Sequence, residues 1–250
     1  MTSSPFRLDG KTILITGASS GIGRATAIEC AALGSKCLIL VGRNRDALEE
    51  TASLSNSRCE NIIITADLSD PQDIEALVNE IPSLDGVVCN AGINKMQLVS
   101  FFNKKDIESI FSVNCFSPML LLKLLVRKKK LHTPSSVVFT ASISGYSNIS
   151  AGNGIYGASK SALSSYMKYA ALELASKGIR CNAVHPGRVE TSLIHNITDE
   201  DAIERDLKKY PLGRYAEPRE IAWAIIYLLS DASAWVTGSD MVIDGGRSLI

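Results

Sequence analysis

An excess of charge of either sign is missing from this chain: 26 acidic and 26 basic residues cancel. A protein with no net field has no general electrostatic pull toward nucleic acid, so a groove-binding role is excluded as the first reading. Metal-ligand spacing is missing too. Cys30, Cys37, Cys59, Cys89, Cys115 and Cys181 include no Cys-x-x-Cys pair, so they read as small core residues in a reducing compartment, with no metal and no disulfide. The three histidines, His132, His185 and His195, have no ligand spacing either and are expected on the surface or in loops. The N-terminal Met1-Thr2-Ser3-Ser4-Pro5-Phe6-Arg7 has no apolar leader core, and no apolar run approaches the about 20 residues a membrane span needs. A cytoplasmic protein is expected. No Pro/Gly/Ser-rich linker interrupts the 250 residues, which suits one domain over residues 1–250.

What is present is alternation. Short β-branched runs at Lys11–Thr16, Lys36–Val41, Asn61–Ala66, Gly86–Cys89, Ser136–Thr140, Arg180–Val184 and Met241–Ile243 alternate with helical patterns. The helical patterns lie at Gly21–Leu33, Arg45–Leu54, Pro71–Glu80, Lys104–Lys130, Tyr156–Ser176 and Pro218–Leu229. Repeated βα units predict an α/β doubly wound fold, a mostly parallel seven-stranded sheet with helices on both faces. Asp70-Pro71 and Glu217-Pro218 read as helix starts, and Gly34 and Gly178 as helix-ending glycines. The cations Arg127 to Lys130 suit a helix C-terminus, with docking of an acidic carrier protein as the rival role. Tyr156–Ser176 is apolar nearly all the way round, so a second copy is expected to cover it, in a homodimer or homotetramer.

Two places carry chemistry. The first strand runs into Thr16-Gly17-Ala18-Ser19-Ser20-Gly21-Ile22-Gly23 and then a helix, a layout that offers free N–H groups and a positive dipole end to a pyrophosphate. At the end of the second strand stands Val41-Gly42-Arg43-Asn44, without the carboxylate that would hold a 2′-hydroxyl. Arg43 suits a 2′-phosphate, so NADP(H) is favoured over NAD(H). Asp67, followed by Leu68, is placed to approach the adenine, with helix capping as its competitor. The second place is Tyr156-Gly157-Ala158-Ser159-Lys160. On a helix, the phenol and ammonium share one face a turn apart, and a nearby cation lowers a phenol from about 10 toward working pH. Beside a hydride carrier, such a pair serves a carbonyl reductase or alcohol dehydrogenase.

With these motifs stand Asn90-Ala91-Gly92, Val113-Asn114, Ala141-Ser142, Asn182-Ala183-Val184-His185-Pro186-Gly187, Thr237-Gly238 and Asp244-Gly245-Gly246. From about residue 8 to 246 the chain resembles the short-chain dehydrogenases/reductases. Pro211-Leu212-Gly213-Arg214 with Glu217 to Ala222 is most similar to their 3-oxoacyl-carrier-protein reductase branch. The resemblance implies Tyr156 as proton donor, Lys160 as ribose ligand and modulator of the phenol, Ser142 as carbonyl-binding serine and Asn114 as holder of a relay water. It implies cofactor contacts from Gly17, Ser19, Ser20, Gly21, Ile22, Gly23, Arg43, Asn44, Asp67, Leu68, Asn90, Ala91, Gly92, Tyr156, Lys160, Pro186, Gly187, Val189 and Thr191. The serine-to-tyrosine spacing is one residue longer than the family's commonest, which makes Ser144 a rival for Ser142. Tyr146 lacks a lysine four residues on, and Ser20 is neutral where some NADPH users of the family carry a base.

The reading is an NADPH-dependent reductase of a small ketone or 3-oxoacyl thioester, free or carrier-bound. An NAD-linked dehydrogenase of a secondary alcohol or sugar, and a non-catalytic dinucleotide sensor or scaffold, are the competitors. The amphipathic segment between Thr191 and Tyr210, with Leu193, Ile194, Ile197, Ile203 and Leu207, is expected to act as a lid and suggests a partly apolar substrate.

Overall fold

The computed structural model describes residues 4–55, 58–191 and 200–250. Its strands are β1 (Thr12–Thr16), β2 (Cys37–Gly42), β3 (Glu60–Thr65), β4 (Leu84–Cys89), β5 (Leu131–Thr140), β6 (Ile179–Pro186) and β7 (Asp240–Ile243). The helices are α1 (Gly21–Ala32), α2 (Arg45–Leu54), α3 (Pro71–Glu80), α4 (Lys104–Phe111), α5 (Ser117–Arg127), α6 (Gly154–Leu174), α7 (Glu200–Leu207) and α8 (Pro218–Leu229). The strands form one parallel sheet in the order β3-β2-β1-β4-β5-β6-β7. This is the doubly wound Rossmann arrangement expected from the alternation. The chain leaves β3 at one edge and returns to the middle as β4, so the connections that follow the paired strands β1 and β4 run to opposite faces of the sheet and open a crevice at their C-terminal ends.

Alternating side chains of the strands feed two apolar layers. Leu14, Ile39, Val87, Val137 and Phe139 pack with residues of α3, α5 and α6 on one face. Ile13, Ile15, Leu38, Leu40, Val88 and Val138 pack with α1 and α8 on the other. All six cysteines are buried, as expected of small core residues.

Helix ends follow local chemistry. The Asp70 side chain accepts the Gln72 N–H at 2.8 Å ahead of Pro71, and Glu217 and Glu220 form a reciprocal capping box around Pro218. Gly34 and Gly178 adopt φ values of 96° and 69°, left-handed conformations that close a helix and a 3-10 turn.

The helix expected over Lys104–Lys130 is interrupted. A π turn at Ser112–Phe116 separates α4 from α5, with the Ser117 N–H reaching back to the Ser112 carbonyl one residue before Pro118, which has no N–H to continue the ladder. Taken together, Lys104–Arg127 is long and apolar enough to cross a membrane by length and composition, which the sequence reading did not anticipate. Leu121, Leu122 and Leu125 of this stretch belong to the core. At its end, Lys128 bonds Glu75 and Asn79, and Lys130 bonds the Ile81 carbonyl. Two of the four cations are therefore engaged in holding the helix end to its neighbours. In the expected lid, α7 accounts for Ile203 and Leu207, both half-buried. Leu193, Ile194, Ile197 and His195 lie outside the described residues.

Candidate active site

The crevice over β1 and β4 is a cleft of about 970 Å³. The first wall is the turn after β1. Gly17 and Gly21 have φ of 66° and 52°, and a Cβ on Gly23 would stand 2.2 Å from the Gly17 carbonyl oxygen. Only glycine lets the chain fold this tightly onto the start of α1. Ser20 caps α1 with no side-chain bond, and no acidic residue stands in the first turn. The N–H groups at this end are thus open to an anion.

Thr16 fastens the turn to the far side of the crevice. Its hydroxyl donates to the Val88 carbonyl at 3.2 Å and accepts from the N–H groups of Asn90 and Ala91 at 2.9 and 3.0 Å. The Asn90 amide donates to the Thr16 carbonyl at 3.1 Å, so Asn90 supports the turn from below.

At the ribose end, exposed Arg43 lines the cleft beside Asp67 and Leu68. The Asp67 carboxylate accepts from the Ser69 N–H and hydroxyl at 2.9 and 2.7 Å. Those bonds hold it below the usual carboxylate range, with Arg43 adding to the effect. Asp70, not Asp67, caps α3. The Asn44 side chain accepts the Ala47 N–H at 3.1 Å and caps α2, one residue after Arg43. Gly23 also lies behind the lining, its part being closure of the turn.

Ser142, Ser144, Tyr156, Lys160, Pro186, Gly187 and Val189 also line the cleft, as does Thr191, whose methyl stands against Gly21 of the glycine turn. Tyr156 stands in the first turn of α6, and Lys160 one turn on, 3% exposed, sends its ammonium to the Thr140 carbonyl at 2.7 Å. The ammonium lies 5.9 Å from the Tyr156 ring centre. Burial drives Lys160 down from the usual lysine value to about 8. Burial raises the Tyr156 phenol above its usual value, and side-chain hydrogen bonding by Ser142 opposes that. In this structure the Lys160 ammonium bonds the Thr140 carbonyl, and Ser142 is the side chain that hydrogen-bonds the phenol. Between the rival serines, Ser142 is the one beside Tyr156; Ser144 donates its N–H to the Ser142 hydroxyl at 3.1 Å.

Asn114 is wholly buried and does not line the cleft. Its amide accepts from the Ile93 N–H at 2.8 Å and donates to the Ile93 carbonyl and the Ser159 hydroxyl at 2.9 and 3.1 Å. Ser159 in turn donates to the Tyr156 carbonyl at 2.7 Å. A Cβ on Gly92 would meet both the Asn114 amide oxygen and the Lys160 ammonium at 3.3 Å, so that glycine lets the two approach each other.

His185 overturns its expected surface position. It is fully buried on β6, with Nδ1 2.9 Å from the Ser142 carbonyl and Nε2 2.7 Å from Asp240. Every residue of β6 from Cys181 to Pro186 is buried, so the strand carries the histidine inside whatever its spacing to other ligand types. His132, by contrast, is exposed beside Asp85. Sequence reasoning also missed the apolar wall of Ile93, Met96, Ile143 and Ile149, and the cations Lys209 and Arg247 at the mouth. These stand mostly on loops without periodicity, so no pattern marked them. Among the described residues no cluster of His, Cys, Asp and Glu could hold a metal.

A glycine turn at a strand switch point, joined by one cleft to a tyrosine, a lysine and a serine, defines a dinucleotide-dependent oxidoreductase. Residues 17–248 match the family model described as enoyl-(acyl carrier protein) reductase, and the chain belongs to the short-chain dehydrogenase/reductase family. It is 34% identical over 244 residues to the 3-oxoacyl-[acyl-carrier-protein] reductase FabG of Rickettsia bellii, covering 97% of this chain and 99% of that one. Among solved structures, levodione reductase superposes with a TM-score of 0.89 at 31% identity, covering 97% and 99% of the two chains. The RhlG/NADP active-site complex of Pseudomonas aeruginosa gives 0.92 at 28% identity, covering 99% and 100%. The protein is an oxidoreductase of the nicotinamide-dependent type that interconverts alcohol and carbonyl groups.

Proposed function

We propose that this chain reduces a ketone, a 3-oxoacyl thioester or a small carbonyl compound, with NADPH. The convergence of Tyr156, Ser142 and Lys160 at one end of a cleft whose other end holds the glycine turn and Arg43 carries this reading. The fit of a dinucleotide rests on the Gly17 to Gly23 turn, which a Cβ at position 23 would break, and on the uncapped N-terminus of α1. When bound, the nicotinamide supplies the hydride.

The chain's own residues do the rest. Ser142 hydrogen-bonds the substrate carbonyl oxygen, and Tyr156 gives that oxygen a proton as negative charge develops on it. Lys160 holds the nicotinamide ribose and restores the phenol's proton. Asn114 fixes the backbone of Tyr156 through Ser159. Asn114 also holds the water that relays protons toward Lys160, while its side-chain amide is engaged with Ile93 and Ser159. Gly17, Ser19 to Ile22, Asp67, Leu68, Asn90 to Gly92, Pro186, Gly187, Val189 and Thr191 contact the cofactor.

The apolar wall of Ile93, Met96, Ile143 and Ile149 supports a partly apolar substrate. The FabG relative supports a carrier-bound thioester. The exposure of Tyr169 and Leu172 on α6 supports a second copy over that helix.

A panel of ketones, sugars and 3-oxoacyl thioesters, followed by nicotinamide absorbance, is expected to show reduction of ketones or 3-oxoacyl thioesters, faster with NADPH than with NADH. Turnover of none of the carbonyl compounds would sink the proposal. For the ribose end, Arg43→Ala removes a charge-assisted contact worth about 1.5 to 3 kcal/mol, so calorimetric titration is expected to show NADPH weakened about tenfold to a hundredfold and NADH nearly unchanged. Equal losses for both would remove Arg43 from cofactor choice.

A further inference from the structure

His185 sits directly behind the carbonyl-binding serine, and both of its ring nitrogens face acceptors. Nδ1 lies 2.9 Å from the Ser142 carbonyl oxygen, which can only accept. Nε2 lies 2.7 Å from Asp240 Oδ1. That carboxylate is itself filled with donors: the Ser164 hydroxyl gives to the same oxygen at 2.6 Å, and the Lys168 ammonium stands 2.8 Å from the other. A neutral imidazole donates from one nitrogen only and would leave one acceptor facing a lone pair. The ring is fully buried, so no surface water can repair the mismatch.

We infer that His185 is a doubly donating imidazolium which fixes the Ser142 backbone, making it a positioning residue for the carbonyl-binding hydroxyl. The groups facing the ring among the described residues are Asp240 on β7, with Ser164 and Lys168 of α6 behind that carboxylate, Tyr146 on the loop after β5, and the Ser142 carbonyl. The Tyr146 ring lies over the imidazole with centroids 4.2 Å apart, and the electron-rich face of an aromatic ring favours a cation. Burial pushes the Asp240 carboxyl up, but the bonds from Lys168, Ser164 and His185 outweigh it and hold the group below the usual carboxylate range. An ionised Asp240 offers no proton to share, so the second donor must come from the ring.

Chemically, the carbonyl of Ser142 is pinned from one side while its hydroxyl receives the Ser144 N–H and acts on Tyr156 from the other. Loss of the His185 proton would free the weaker acceptor, the neutral carbonyl, and keep the bond to the charged carboxylate. Ser142 would then lose one of its two fixed points. The inference rests on the role proposed for Ser142.

Nitrogen-15 NMR of the histidine side chains in the intact protein at neutral pH tests the protonation directly, with His185 assigned by comparison with His132 and His195 variants. Both ring nitrogens are expected to be protonated; a bare nitrogen on the His185 ring would overturn the inference. Kinetics tests the coupling. His185→Gln can donate at one end only, so kcat is expected to fall about tenfold with KM for NADPH unchanged. In a Ser142→Ala background the same substitution is expected to cost less than about twofold. Equal costs in both backgrounds would overturn the positioning role. If Ser142→Ala alone leaves kcat intact, the role proposed for that serine has failed, and the nitrogen signals still decide the state of His185. Should His185→Gln not fold, the wild-type spectrum remains decisive.

Discussion

Tyr156→Phe is expected to lower kcat for carbonyl reduction by about 10² to 10⁴ while leaving NADPH affinity within about twofold, because it removes a proton donor and nothing that shapes the cleft. The ring stays, so the first turn of α6 keeps its packing. The lost group is one hydroxyl under the influence of Ser142, and a single hydrogen bond contributes only about 1 kcal/mol to folding. Thermal melting should therefore barely move. The measurement is steady-state turnover alongside NADPH titration by fluorescence or calorimetry. Unchanged turnover would remove Tyr156 from the reaction, and a parallel collapse of NADPH binding would recast it as a structural residue.

Lys160→Met should cost about 10²-fold or more in kcat and also change how stability responds to pH. In the folded protein burial lowers this ammonium from the usual lysine value of 10.5 to about 8. Between those values the unfolded chain holds the proton that the folded chain has released, so stability from this group rises with pH. Below pH 8 the cost of burying the charge is present in full, on the order of 3 kcal/mol. Urea unfolding of wild type and Lys160→Met should show the difference moving in the wild type's favour from pH 8 to pH 10.5. A constant difference across that window would mean the lysine is not desolvated as described. Because the ammonium also bonds the Thr140 carbonyl at 2.7 Å, the variant leaves a buried acceptor, an offset that does not itself titrate in this range.

The parts of this protein that repeat were the parts legible in its sequence. Seven strands and six helices were foreseen because period-two and period-3.6 patterns report burial directly, and Asp70-Pro71 and Gly34 marked ends by their backbone chemistry. The π turn at Ser112–Phe116 was not foreseen, since an apolar stripe looks continuous across one widened turn; Pro118 was the single clue. Tyr156, Lys160 and Ser142 were readable as types and spacings. What spacing could not give was their electrostatics: the partner of the Lys160 ammonium is a backbone carbonyl from β5, reached only after the chain has folded. At Asn44 the structure adds a local role that the spacing did not mark, a side-chain bond from the Ala47 N–H that caps α2. His185 shows the same limit. Judged by ligand spacing it is featureless, yet strand register brings it between Ser142 and Asp240.

Thr16 has a wider bearing than its three hydrogen bonds suggest. One hydroxyl rivets the half of the chain that carries the glycine turn and Arg43 to the half that carries Tyr156 and Lys160. On the roles proposed above, the tip of β2 that bears on the choice of dinucleotide and the loops around Ile93 and Ile149 that bear on the carbonyl accepted lie on opposite sides of this rivet, so a change in one need not loosen the other.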